Sequence, residues 1–187
     1  LNSVRTQLPY LALALLALGT PASAYPMPES STSRAARYDA WRARIELAER
    51  AADRGEWDSA SSGFSSVVDE GRALSDRSLL LARALDGLGA ARSHERRLEE
   101  AAGLHEEAAR LLSELLGEAQ PRVAVTLASL GAVYRELGRT ADARAAFERA
   151  VSIFDRGPAR ESPGALSARR ALAELASGDA QLEPSPE

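Results

Sequence analysis

Apolar residues through the middle of the chain recur at three- and four-residue intervals, the period of a helix buried along one side. Leu127, Leu130 and Tyr134 form one such set, followed by Ala143, Phe147 and Ala150. Leu85 and Leu88, then Ala101, His105 and Ala108, form another. Breaks fall between the sets. Gly55 and Gly138 are placed to end a first helix, since glycine alone takes the left-handed conformation without cost. Asp58 and Thr140 are expected to cap the helices that follow. Gly117 with Pro121, and Gly157 with Pro163, punctuate the larger units. The pattern predicts an all-α protein. Three helix pairs fall at about 41–74, 82–115 and 124–157, and a solitary helix at 163–177.

Small residues recur at wider intervals. Ala48, Gly89, Gly131 and Ala173 lie 41, 42 and 42 residues apart. Each follows a leucine, and each is suited to a point where a neighbouring helix crosses closely. Ala60, Ala101 and Ala143 do the same for the second helix of each pair. Large residues are expected to fill the space one turn away, Leu47 with Phe64 and Leu130 with Phe147. A single pair cannot bury its own apolar face, so stacking of pairs supplies the core.

Leu130-Gly131, Tyr134, Gly138, Ala143, Phe147 and Ala150 together resemble the tetratricopeptide repeat. Leu88-Gly89 with Ala101 and Ala108 repeats the frame upstream, as does Leu47-Ala48 with Gly55, Ala60, Phe64 and Val67. The spacing exceeds the basic repeat of about 34 residues and is similar to the longer kinesin-light-chain-like variant. The second unit departs twice, with Arg92 in place of the tyrosine and His105 in place of the aromatic. The resemblance covers residues 34–177. It implies a right-handed α-α superhelix of three helix pairs plus a C-terminal capping helix, whose end Arg169, Arg170 and Glu174 would keep polar.

The resemblance further implies a concave groove lined by the first helix of each pair, where a protein or peptide partner lies. In the family frame that face carries Arg42, Glu46, Glu49 and Asp53, then Arg83, Asp86, Ala90 and Ser93. Val125, Ala128, Ser129, Ala132, Arg135 and Glu136 follow, and Arg170 of the last helix joins them. Arg83, Asp86 and Arg135 are the polar contacts of first interest. The competing reading is that they pair with one another across these helices. The Lys–Asn–Arg set with which co-chaperone repeats clamp a terminal carboxylate is missing. A scaffold or adaptor is therefore expected, with a self-association module as the alternative.

The ends differ in character. Arg5 precedes an apolar run from Leu8 to Leu18, and Gly19-Thr20-Pro21 breaks it. Ala22-Ser23-Ala24 then supplies the small-x-small pattern of a signal-peptidase site. The run is shorter than the roughly 20 residues a spanning helix needs. Residues 1–24 thus read as a signal peptide cleaved after Ala24. The protein is expected to be exported, periplasmic or secreted, with no stable membrane insertion afterwards. Residues 25–33 read as a flexible linker and 178–187 as a disordered tail. There is no cysteine, which excludes disulfides, thiolate metal sites and lipid attachment at a cysteine.

Composition narrows the chemistry. Only 5% of the 187 residues are aromatic, and alanine and leucine suit close helix packing. Every basic residue is arginine and isoleucine occurs twice, a coding bias that suggests a GC-rich bacterium. The net charge of −4 argues against nucleic acid, whose phosphates need a basic face. No phosphate loop, nucleophile elbow or zinc signature is present, so no catalysis and no cofactor is expected. His105 sits at a packing position and His94 at a helix end, where it favours the dipole. With Glu99 as the nearest third ligand, they make no metal site. Trp41 and Trp57 are assigned to packing rather than ligand stacking.

Overall fold

The computed structural model describes residues 30–180, and among them all regular structure is helical. The expected signal peptide with Ala22 and Ala24, the expected linker up to residue 29 and the tail from 181 lie outside the described residues. The seven helices are α1 Ser31–Asp53, α2 Trp57–Ala73, α3 Leu79–His94, α4 Leu98–Leu116, α5 Pro121–Glu136, α6 Thr140–Arg156 and α7 Pro163–Ala180. The chain divides into two units, residues 1–37 and 38–187. The described part of the first holds the start of α1, where the Ser33 amide donates to Ser30 Oγ at 3.1 Å. That cap starts the helix at Ser31, inside the segment expected to be linker. At the other end α7 continues to Ala180, past the expected limit of 177.

In the second unit, first helices of a pair (A helices α1, α3, α5 and α7) alternate with second helices (B helices α2, α4 and α6). Each B helix from α2 onward packs on the A helix that follows it, and α3–α4 and α5–α6 form tight pairs. This alternation is the stacked helix-pair arrangement that the sequence resemblance implied. Trp41, Ile45, Phe64, Leu85, Leu112, Val123, Phe147 and Phe154 lie in one continuous core. Full burial of each large side chain contributes roughly 1.5–3 kcal/mol.

Small residues set how closely the helices cross. A Cβ on Gly131 would lie 3.0 Å from the Phe147 ring, and one on Gly89 2.9 Å from the His105 ring. Both are tighter than ordinary side-chain contact. In the first pair the sequence reading fails in detail. Leu47 is 63% exposed, whereas Phe64 is buried. Phe64 instead presses on Gly87 of α3, and Gly63 meets Ala48. Leu47 lacks a preceding B helix among the described residues, whereas Leu88 and Leu130 lie beneath α2 and α4.

Helix ends repeat one device. After α1, the Glu56 amide reaches Ala51 O and the Gly55 amide reaches Ala52 O, both at 2.9 Å. The same paired bonds close α2, α3 and α5, the Schellman arrangement. It requires a left-handed residue, supplied by Gly55 and Gly138 but also by Ser75 (φ 51°) and Arg96 (φ 63°). Asp58 and Thr140 do not cap. The cap positions are Glu56 and Arg139, with no side-chain hydrogen bond, and Asp58 and Thr140 already lie in the first turn. Serine does the capping elsewhere: Ser78 Oγ accepts from the Leu81 amide and Ser162 Oγ from the Ala165 amide, each at 3.2 Å.

Polar bonds cross between units. The Tyr134 hydroxyl donates to Glu106 of α4, and the Arg139 guanidinium lies 4.2 Å from the ring centroid. Burial, then the Glu106 carboxylate, push the Tyr134 hydroxyl up to about 12. Arg92, which stands where the second unit lacks its tyrosine, reaches Ser61 of α2 and Glu95, the latter at 2.7 Å. The substitution keeps a polar tie to the preceding B helix.

Two outcomes are expected. Arg96→Gly removes a left-handed strain of about 1–2 kcal/mol and forfeits only an exposed ion pair with Glu136. It should raise stability by about 0.5–1 kcal/mol in urea unfolding, whereas Gly138→Ala should lower it. The neutral Tyr134 hydroxyl is bound in the fold and its pKa is raised above the usual 10. Its contribution is therefore complete below pH 10 and lost as pH rises through about 12. Between pH 9.5 and 11.5 the native chain should lose on the order of 2 kcal/mol that Tyr134→Phe does not lose.

Candidate functional site

The A helices form the inner face of the second unit. α5 touches both α3 and α7, while no contact as extensive joins α2 to α4 or α4 to α6. The expected groove residues lie on these helices, and the structure shows what each one meets. Arg42 is exposed and bonded to Asp39 at 2.8 Å. Glu46 and Asp53 are exposed. Glu49 of α1 takes a two-pronged bond from Arg83 of α3, with the Nε arm at 2.6 Å. That bond, followed by the nearby Glu49 and Glu46 charges, raises the Arg83 pKa despite partial burial. Arg135 of α5 reaches Glu174 of α7 at 3.1 Å. Glu136 is held by Arg96. Arg170 is exposed, 3.5 Å from Glu174.

Two of these pairs tie successive A helices together, Glu49–Arg83 and Arg135–Glu174, and a third, Arg96–Glu136, joins the turn after α3 to α5. All three pairs are at least partly solvated, so each is worth about 0–1 kcal/mol. Their arms remain exchangeable for a ligand's carboxylate or guanidinium. Between the pairs the wall is small. Ala90 is exposed and Ala128, Ser129 and Ala132 are half-buried. Val125, at the α7 end, is 47% exposed.

Asp86 departs from expectation. Its Oδ1 lies 2.8 Å from Nδ1 of His105, which is 2% exposed. Asp86 therefore satisfies a buried imidazole and is not a free groove contact. His105 occupies the aromatic position against Gly89, as the sequence suggested, and needs the carboxylate because a histidine carries a polar edge that phenylalanine lacks. The expected polar end of α7 also changes. Arg169 pairs with Asp155 of α6 and Glu174 with Arg135, so both point back into the solenoid. Sequence reasoning missed Arg96 and Glu174 as groove partners. Their only signal was opposite charge one repeat away, at offsets that differ from pair to pair.

The tryptophans are structural. Trp41 is fully buried. Trp57 stacks on His94 with centroids 3.6 Å apart and planes 10° from parallel, joining the start of α2 to the end of α3. Among the described residues no cluster of His, Asp and Glu is arranged to hold a metal, and no helix is long and apolar enough to cross a membrane. A cleft of roughly 520 Å³ lies on the other side of the unit, lined by Asp69, Arg72, Leu88, Arg92 and Glu100. In its walls Arg72 is paired with Glu107, and Arg92 with Glu95 and Glu100.

The Asp86–His105 bond makes a quantitative prediction. Asp86→Ala should cost about 1–3 kcal/mol, because it leaves a buried ring nitrogen unpaired. In a His105→Phe background the same change should cost less than about 0.5 kcal/mol, and a double-mutant cycle in urea reads the difference.

The family described as tetratricopeptide repeat matches residues 80–156 and 122–183, together more than half of the chain. The fold is similar to the crystal structure of Podosopora anserina putative kinesin light chain nearly identical TPR-like repeats. That likeness has 22% identity over 75% of this chain and 67% of that one, with a TM-score of 0.65. BtubC (BKLC) from P. vanneervenii is similar at 19% identity over 79% of this chain and 67% of that one, TM-score 0.62. PcrH from Pseudomonas aeruginosa is similar at 23% identity over 74% of this chain and 92% of that one, TM-score 0.50. No curated protein matches the chain. The rings seated on small residues, the left-handed turns and the matched segments agree, and the chain belongs to the tetratricopeptide-repeat family.

Proposed function

We propose that this chain is a scaffold or adaptor, exported by its N-terminal segment, that holds a partner protein or peptide along the A-helix face. The observation that carries the reading is the make-up of that face. Small side chains at Ala90, Ser129 and Ala132 leave a channel, and exchangeable ion pairs flank it at Glu49–Arg83 and Arg135–Glu174. An extended peptide or a helix laid there meets backbone-close surface between charges of both signs. Repeats of about 42 residues, as in kinesin-light-chain-like arrays, fit the steps of 41, 42 and 42 residues between Ala48, Gly89, Gly131 and Ala173. The periplasm or the exterior is the compartment this reading assigns. Fold alone does not specify the ligand, so the partner is a protein or peptide of unnamed identity, and no reaction is assigned.

The test is site-specific photo-cross-linking in the source cells, with the reactive residue at exposed Ala90 on the A-helix face or at exposed Asp69 in the outer cleft. A heavier adduct from Ala90, absent from Asp69 and reduced at least fivefold by Arg83→Glu with Arg135→Glu, is the expected result. Equal adducts from both positions would remove the groove reading, and an adduct at twice the chain's own mass would establish self-association instead.

A further inference from the structure

Charge on the A-helix face is unevenly spread. On α1, Glu46, Glu49 and Asp53 follow one another at three- and four-residue steps, which puts their carboxylates on one side of the helix. The Arg83 guanidinium of α3 is bonded to Glu49 and acted on by the Glu46 charge, so this side of α1 faces α3. Glu46 and Asp53 are exposed, and neither forms an ion pair among the described residues. Asp86 of α3 adds a fourth carboxylate, bonded to an imidazole and not to a guanidinium. Among the described residues, Arg83 is the one guanidinium bonded to any of these four acids. Arg42 is taken by Asp39, one turn earlier on its own helix.

At the other end the balance reverses. Arg135 of α5 and Arg170 of α7 divide a single carboxylate, Glu174, at 3.1 and 3.5 Å. The other acid of this half, Glu136, is held by Arg96. Ala90, Ser129 and Ala132, between the two ends, carry no charge. Packed helices lie about 8–10 Å apart, so three steps from α1 to α7 separate the ends by about 25–30 Å. Exposed charges are screened beyond about 8–10 Å at physiological salt. The acidic end and the basic end therefore act as separate subsites and do not cancel one another.

From this arrangement we infer that the groove takes a protein segment of opposite charge at its two ends, with lysine or arginine against Glu46 and Asp53 and aspartate or glutamate against Arg135 and Arg170. The inference rests on the groove reading and adds to it the partner's charge order and its placement in the channel. A cation beside Glu46 and Asp53 completes pairs that the chain leaves open. A carboxylate at the other end gives Arg135 and Arg170 an acid each. The reverse placement sets like charges together at both ends, which is how charge selects register. An extended segment of about eight or nine residues spans the distance. Either chain direction satisfies the order.

The probe is a fluorescein-labelled peptide of four lysines, an alanine–serine centre and four glutamates, titrated with the full chain in about 0.1 M salt and read by anisotropy. The control has the same composition with lysine and glutamate alternating. Saturable binding is expected, at least fivefold tighter than the control and weakened at least fivefold by Glu46→Lys with Asp53→Lys. A photo-cross-linker at the lysine end should attach to α1 or α3, and one at the glutamate end to α5 or α7. Adding Arg135→Glu and Arg170→Glu to the two lysine substitutions should make the ends exchange places. All four side chains are exposed, so circular dichroism of these variants should match the native chain. No saturation, equal affinity for the control, or lysine-end adducts on α7 of the native chain overturns the inference. If a partner still cross-links at Ala90 in the source cells, such a result removes the charge order alone, and absence of the Ala90 adduct removes the groove reading with it.

Discussion

Close approach of one helix to the next, permitted by a missing or minimal side chain, is the constraint on which the rest of this molecule depends. The Phe147 ring lies over Gly131, the His105 ring over Gly89 and the Phe64 ring over Gly87. Interiors pack at near-crystalline density, so a single added methyl at these points has nowhere to go. Because an aromatic ring sits on a bare stretch of backbone, helices cross at short range with only 5% aromatic residues in the whole chain. Alanine fills the remaining contacts. This architecture obtains its core from many small, well-fitted contacts instead of a few large side chains.

Chain direction is then set by the turns. Four of the helix ends close with the same pair of backbone bonds, and two of the four place a non-glycine residue in the left-handed region. Ser75 and Arg96 hold that conformation because the helices on both sides are fixed by packing. The local cost is small against the burial it permits. The polar ties between units follow the same logic. Tyr134 to Glu106 and Arg92 to Ser61 are different chemistries at one place, each linking an A helix to the B helix before it. What persists is the need to satisfy a polar group at that seam, and either side chain serves.

On the inner face, the residues of the proposed recognition surface also carry structural bonds. Arg83 and Arg135 are positioned by the repeat to face the channel, yet each is already bonded to an acid on the neighbouring A helix. A solvated ion pair is held weakly, so it orients the guanidinium without removing it from use. Asp86 is different: its partner is a buried imidazole, and withdrawing it would leave that ring unpaired. Position in the family frame puts both kinds of residue on the same face. Only the partner's burial separates a group available to a ligand from one committed to the fold.

The helices, their pairing, the glycine turns and the packing roles of Trp41, Trp57 and His105 were legible in the sequence, because periodicity and turn chemistry are local properties. Candidate groove residues were legible as positions, because a repeat fixes which way each side chain points. Their partners were not. Glu174, Arg96 and the Asp86–His105 bond depend on the offset between stacked helices, which no single helix encodes. Leu47 makes the same point. By itself it is indistinguishable from Leu88 and Leu130, since all three precede a small residue in an A helix. The sequence by itself determined that leucines at this register suit a seam between helices, which Leu88 and Leu130 occupy. Only the tertiary structure decided that, among the described residues, Leu47 is exposed while Leu88 and Leu130 are covered, because burial depends on the neighbour that is packed there and not on the residue.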